Sequence, residues 1–289
     1  MNYHFKEAKS LLSAHNGINI YRGCTHGCIY CDSRSLCYNM DHIFEDIEVK
    51  SNAIQLFEAA LKSKRSPCMI STGSMSDPYM PLESELGYTR KCLELAEKYG
   101  FGFTLITKSD AVLRDLDLLK RINKKAKCVV QMTLTTYDEA LCRIIEPCVC
   151  TTKARFEALK VLRDNGIPTV VWLTPTLPFI NDTEENLRGI LNYCAEAMVY
   201  GIINFGFGVT LRNGDREYFY EKLDEHFPGM KAKYSKAYGD SYEVMSADNE
   251  KLTKIFNDKC AEHKIILGND EIFAFLHEFP RKYEQMSLF

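Results

Sequence analysis

Short apolar or β-branched runs recur along the chain at 18–21, 68–71, 103–107, 128–135, 168–174 and 202–207, with amphipathic stretches between them. Runs of that kind, bounded by turn residues, are expected of strands buried on both faces, as in a parallel sheet. The stretch 152–165 puts Phe156, Leu159 and Leu162 on one helix face and meets Gly166 where a C-terminal cap is expected. Residues 84–99 stop in the same way at Gly100. Asn181, Asp182 and Thr183 followed by Glu184 and Glu185 offer capping oxygens and first-turn acids to a helix running to about residue 199.

Six strand-helix units in series predict an α/β fold, and right-handed crossovers leave an open doubly wound sheet or a barrel-like curl as the main topologies. Beyond residue 207 the pattern turns helical, over 215–226 and 247–263, where Leu252, Ile255, Phe256 and Cys260 share a face. This segment is expected to cap the sheet. The division that follows is an N-terminal segment at 1–17, a core at 18–210, a helical extension at 211–280 and a tail at 281–289.

Composition narrows the class. The 289 residues are 46% hydrophobic, enough for one large core, and 36 basic against 39 acidic side chains leave a net charge of −3 that draws the chain to neither nucleic acid nor an anionic membrane. No apolar run has the length of a membrane-spanning helix and residues 1–10 are polar, so the expectation is a cytoplasmic protein. Twelve cysteines in so large a chain are then expected to be reduced, ligating or buried rather than a disulfide framework.

Three of those cysteines, Cys24, Cys28 and Cys31, sit on one loop directly after the first strand, with Gly23 and Gly27 to let the backbone wrap. Thiolates suit iron-sulfur clusters or zinc, and the donors alone leave both open. A structural zinc site commonly needs a second pair of ligands, and none is evident. Three protein ligands on a four-iron cluster would leave one iron free to chelate another molecule. His26 lies within the loop but has no ligand-spaced partner, so a hydrogen-bonding role is expected of it.

The spacing of Cys24, Cys28 and Cys31, with Tyr30 before the last, resembles the signature of the radical S-adenosylmethionine (SAM) superfamily. The wider run from Asn19 to Asp32, together with Ser76-Asp77-Pro78-Tyr79, resembles its spore photoproduct lyase-related branch, including the radical SAM mobile pair protein B group. The likeness extends over about 18–207. It implies a partial (β/α)6 TIM-like barrel with a mainly helical C-terminal extension. It also implies a [4Fe-4S] cluster on the three cysteines, S-adenosyl-L-methionine on the open iron, reductive cleavage to a 5'-deoxyadenosyl radical, and a reductant protein such as flavodoxin or ferredoxin.

The resemblance further implies roles for particular residues. Ser71, Thr72, Gly73 and Ser74 stand where the superfamily holds the methionine ammonium, Lys108 where related lyases hold the methionine carboxylate, and Thr133 near the ribose, with Tyr30 beside the cluster. Arg143, Glu146 and Arg155 surround a Glu-Pro turn and are expected to order the site. Ser74 is a departure: in spore photoproduct lyase a hydrogen-donating cysteine stands two positions before the Ser-Asp pair. An alcohol is a poor hydrogen-atom donor, so photoproduct repair by that route is not expected. No catalytic residue is assigned, and the reaction implied is hydrogen abstraction from an unidentified substrate, with a nucleic-acid lesion or nucleotide as one candidate.

The other cysteines carry less. Cys37, Cys142, Cys148 and Cys150 match no cluster spacing and are expected to be buried or bystanders. Lys120, Arg121, Lys124, Lys125 and Lys127 form the densest positive run and are read as a solvated helix end. Gln285, Met286, Ser287, Leu288 and Phe289 resemble the short peptide by which bacterial proteins dock on the DNA polymerase sliding clamp. The alternative to the enzyme is thus an iron-sulfur or zinc adaptor, or electron-transfer protein, recruited to that clamp.

Overall fold

The computed structural model describes residues 2–280. Its strands in chain order are β1 (Tyr3–Lys6), β2 (Gly17–Ile18), β3 (Tyr21–Arg22), β4 (Ile47–Lys50), β5 (Met69–Thr72), β6 (Gly102–Thr107), β7 (Cys128–Thr133), β8 (Thr169–Trp172), β9 (Gly201–Ile203), β10 (Gly208–Thr210) and β11 (Glu243–Met245). Six of them form one parallel sheet in the order β2-β5-β6-β7-β8-β9, each neighbour separated in the chain by helix. Sequential order throughout, rather than a reversal in mid-sheet, is the topology of a partial TIM-like barrel.

Side-chain alternation divides the core. Cys128, Val130 and Met132 of β7 join the outer layer with Leu119 and Leu159 of the flanking helices. Their alternates face inward, where Val129 packs with Val170 of β8 and Ile203 of β9. Both faces are buried, which is why these strands read as unbroken apolar runs.

The inner face is closed by the chain's own C-terminal helix, Asn269–His277, whose Ile272 and Leu276 complete that inner cluster. Each buried aliphatic side chain there contributes roughly 1.5–3 kcal/mol. Gly201 permits the approach, since a Cβ on it would lie 2.8 Å from Ile272. The helical extension therefore does more than cap the sheet. Asn249–His263 covers the outer helix Glu184–Glu196, while the last helix plugs the barrel.

Several local expectations are corrected. Residues 18–21 do not form one strand: β2 joins the large sheet, and after Ile20, whose carbonyl accepts from Lys50 N at 3.1 Å, β3 crosses to a smaller sheet. That sheet, β1-β4-β3, also recruits the N-terminal segment through a parallel pairing of β1 with β4. The helix expected over 84–99 breaks at Gly87, φ +64°, into Glu83–Leu86 and Tyr88–Tyr99. The buried Glu83 carboxylate favours the break by accepting from Thr89 N at 3.0 Å and Arg90 N at 3.3 Å at the new helix start. The extension at 211–280 contains β11, paired antiparallel with β10.

The clamp-docking expectation on Gln285, Met286, Ser287, Leu288 and Phe289 lies outside the described residues. Among the described residues, no helix is long and apolar enough to cross a membrane.

Candidate functional site

The strand C-termini open into a cavity of about 660 Å³ lined by Cys24, Cys28, Cys31, Gly73, Lys108 and Thr133 together with residues from the C-terminal part of the chain. Four chain segments, distant in sequence, supply those six residues. Backbone bonds fix the cysteine loop: Cys24 N donates to Phe44 O at 3.2 Å, Ile29 N to Ile145 O at 3.0 Å, and Cys148 N to His26 O at 3.1 Å. Gly23, at φ +87°, is required where it stands, because a Cβ would fall 2.4 Å from Phe44 O.

Asp77 ties the loop to the sheet. Its carboxylate accepts from Thr107 Oγ1 at 2.7 Å, from Lys108 N at 2.8 Å and from Tyr79 N at 2.8 Å, and lies 3.4 Å from His26 Nδ1. Beside it, Ser76 Oγ donates to Gly23 O at 2.5 Å. The sequence presents Ser76 to Tyr79 as a turn, and the turn is real, but its acid is also the strut that joins the cysteine loop to the end of β6. His26 is buried beside this acid rather than aligned with a ligand-spaced partner.

A second buried network supports the other side. Tyr30, between the second and third loop cysteines, donates through its hydroxyl to Glu146, and Thr135 Oγ1 donates to the same oxygen at 2.9 Å. Arg155 pairs with Glu146 and donates to Thr133 O at 2.8 Å and Cys150 O at 2.9 Å. Both partners of the pair are 0% exposed. Burial opposes the Glu146 charge, but the Arg155 guanidinium and the Lys108 ammonium outweigh it and hold the carboxyl down at about 2. Arg143 is exposed and takes no part. Cys142 belongs to this network, at 3.5 Å from Arg155 Nη2, and Cys150 Sγ donates to Lys108 O at 3.1 Å.

The electrostatics of the thiols are informative. Burial pushes Cys24 up to about 12, with Asp77 adding to it, and burial likewise raises Cys28 and Cys31 while Lys108 works against the rise. Three thiols grouped at a cavity wall, Cys28 buried and Cys24 and Cys31 partly so, resist ionising on their own; a bound soft cation reverses that preference and takes them as thiolates. Lys108 lies with its ammonium 5.7 Å from the Tyr30 ring centre; burial works against its charge, but the Glu146 carboxylate, and the Cys28 and Cys31 sulfurs once ionised, raise its pKa.

Not every residue expected at the site reaches it. Tyr30, Gly73, Ser74, Lys108 and Thr133 line the cavity with the three cysteines. Ser71 and Thr72 do not: Thr72 Oγ1 donates to Ile18 O at 2.9 Å, and Ser71 lies along Gly17, so both serve the junction with β2. Gly73, φ +100°, passes so near β6 that a Cβ would meet Ile106 O at 2.1 Å. All twelve cysteines are free, with Cys37 and Cys148 exposed and Cys92, Cys128, Cys194 and Cys260 in the core.

The cavity lining also includes Trp172, Thr174, Phe205, Val209 and Tyr242, which the sequence pattern does not single out. Trp172 is held by Nε1 donating to Gln131 Oε1 at 2.8 Å, and Gln131 in turn donates to Thr104 Oγ1 at 2.8 Å, a polar ladder across three strands. Phe205 stands 59% exposed at the mouth. The run Phe205-Gly206-Phe207-Gly208 just after a buried strand was the signal available for it; Tyr242 carried none.

Comparison with known proteins adds three findings. The family model described as "Radical SAM superfamily" matches residues 18–194. An uncharacterized protein of Methanocaldococcus jannaschii is 34% identical over 58% of this chain, and the chain spans 62% of that relative, less than two thirds of its length. Among solved structures, a tyrosine variant of spore photoproduct lyase superposes with TM-score 0.64 at 15% identity, covering 90% of this chain and 79% of that one. A double variant of the same lyase, with bound AdoMet and dinucleoside spore photoproduct, gives TM-score 0.59 at 14% identity over 86% and 72% of the two chains.

Proposed function

Because the chain belongs to the radical SAM superfamily, we propose that it is a radical SAM enzyme in which Cys24, Cys28 and Cys31 hold a [4Fe-4S] cluster beside a SAM-binding cavity. The observation that carries this reading is the donor set. Among the described residues lining the cavity, three cysteines on one loop are the only thiols, and the nearby His26 and Asp77 engage each other. One iron is then left without a protein ligand, the arrangement needed to chelate a cofactor. When bound, the cluster and SAM supply reductive cleavage of the sulfonium to a 5'-deoxyadenosyl radical, with the electron delivered by a protein such as flavodoxin or ferredoxin.

The chain's own residues then position and shield. Asp77 and the Tyr30-Glu146-Arg155 network fix the loop from two sides, which would hold the three cysteines in place for a cluster. Gly73 gives the backbone after β5 room against β6, the close approach that suits carbonyls facing a methionine ammonium. Lys108 is the cation placed to bind the methionine carboxylate, and Tyr30, Ser74 and Thr133 complete the cofactor side of the cavity.

Trp172, Phe205 and Tyr242 in the cavity lining present aromatic surface suited to a substrate with planar rings, a nucleobase among them. The dinucleoside in the structurally similar lyase supports a nucleic-acid-related substrate. Ser74 in place of a thiol argues against hydrogen return as in photoproduct repair.

The test is anaerobic reconstitution with iron and sulfide followed by dithionite and SAM. Brown protein and 5'-deoxyadenosine are expected, both lost in Cys28→Ala. A Cys28→Ala protein that still forms 5'-deoxyadenosine, or zinc in place of iron in the purified protein, would contradict the proposal.

A further inference from the structure

A second cluster of ligand-type side chains lies on the small N-terminal sheet, apart from the cavity. The parallel pairing of β1 with β4 sets His4 opposite Glu48, and the segment leading into β4 brings His42 over the same pair. Ligand atoms of His4, His42 and Glu48 all lie within 4.8 Å of one another, and the two imidazoles meet edge to face at 4.9 Å. We propose that these three residues form a zinc site, distinct from the cysteine loop.

The hydrogen bonds around the rings point the same way. His4 Nδ1 faces Asp46 Oδ2 at 3.1 Å, and His42 Nδ1 faces Ile43 O at 3.0 Å. An oxygen acceptor at each Nδ1 puts the proton there and leaves each Nε2 with a lone pair, the second-sphere arrangement typical of metal-bound histidine. His42 Nε2 is buried, has no hydrogen-bond partner and lies 3.9 Å from Glu48 Oε2. Such an orphaned buried nitrogen is costly unless a cation or proton meets it.

Glu48 is also buried, at 5% side-chain exposure, and its charge is met by Lys6 Nζ at 2.9 Å. Lys6 is half-exposed and also reaches Asp41 at 3.5 Å, so it can yield the Glu48 oxygen to a metal and stay paired with Asp41. Two imidazoles and one carboxylate, with a fourth position open to water, match the donors and coordination number of zinc; magnesium and calcium prefer all-oxygen sets.

Such a site has a structural consequence. Its ligands bracket Phe44, whose carbonyl accepts from Cys24 N at 3.2 Å. Zinc there clamps the segment on which the first cysteine of the loop rests.

The experiment titrates reconstituted holoprotein with zinc chloride and collects anomalous diffraction at the zinc edge from soaked crystals. One zinc per chain is expected beyond the cluster, with its anomalous peak between His4, His42 and Glu48. His42→Gln and, independently, His4→Gln are expected to weaken it at least tenfold while iron content is retained. The half-exposed His4 makes the second variant the safer one for folding, and circular dichroism checks both. A zinc peak only at the cysteine loop, no peak at all, or undiminished affinity in folded variants of both histidines overturns the proposal.

Discussion

Replacing Glu146 by glutamine removes the charge that neutralises Arg155 at a position where neither side chain has solvent contact. Two routes give the size of the effect. Breaking a buried ion pair by removing one partner costs about 3–5 kcal/mol. Independently, a carboxyl held at about 2 rather than its ordinary ~4.3 corresponds to about 3 kcal/mol of differential stabilisation of the charged form. With an unfolding entropy near ~2.1 cal/mol/K per residue, that loss lowers the melting temperature of a 289-residue chain by roughly 5–8 °C.

Because the folded-state value lies below the unfolded one, this stabilisation is fully present above about pH 4.3 and is lost as the pH falls towards 2. The wild-type minus Glu146→Gln difference should shrink over that window and be flat above it. The assay is urea unfolding of wild type, Glu146→Gln, Arg155→Met and the double variant between pH 3 and 8. The double variant should be less destabilised than the sum of the singles by more than about 1.5 kcal/mol, since it no longer buries an unpaired charge. Single variants within 1 kcal/mol of wild type, or strictly additive losses, refute the reasoning.

Gly73→Ala places a methyl 2.1 Å from Ile106 O on a backbone at φ +100°, so it should weaken SAM binding measurably by calorimetry and lower stability by about 1–3 kcal/mol. Lys108→Met, which keeps the stem and removes the ammonium, should raise the Kd for SAM about 10–100-fold with iron content unchanged, as loss of one charge-assisted bond requires. We propose that residues 285–289 dock on a bacterial DNA polymerase sliding clamp: the full chain should then bind it in surface plasmon resonance, and deleting 285–289 should abolish that binding and leave 5'-deoxyadenosine formation intact.

Much of this was legible because it depends on local rules. Five of the six core strands, β5 to β9, announce themselves as apolar runs, since β7 and its neighbours are buried on both faces. Thr151 and Thr183 cap their helices by accepting from Ala154 N and Asn186 N, as such residues before an amphipathic run should. What escaped depends on contacts between distant segments. β2 and β3 have two residues each, too short to carry a period, and β1 and β4 pair across a separation the pattern cannot reveal.

An amphipathic helix shows that it has a buried face but not what covers it. Asn269–His277, part of the segment expected to cap the sheet, instead plugs the barrel interior. At the site, the cysteine spacing points to a loop that the fold brings to the cavity, and Lys108 and Gly73 lie at strand ends that open into it. Ser71 and Thr72 adjoin Gly73 in the chain, yet both engage the neighbouring β2 instead of the cavity. Asp77 looks like a turn residue from its sequence, and only the folded chain shows three hydrogen bonds and a histidine converging on it.

The central claim is that three protein sulfurs leave one iron of a four-iron cluster free for SAM. Mössbauer spectroscopy of the iron-57-reconstituted protein tests it most directly. One iron in four should separate from the rest and change its isomer shift and quadrupole splitting when SAM is added, and Lys108→Met should need more SAM for the same change. Four irons that give identical spectra with and without saturating SAM would contradict the account.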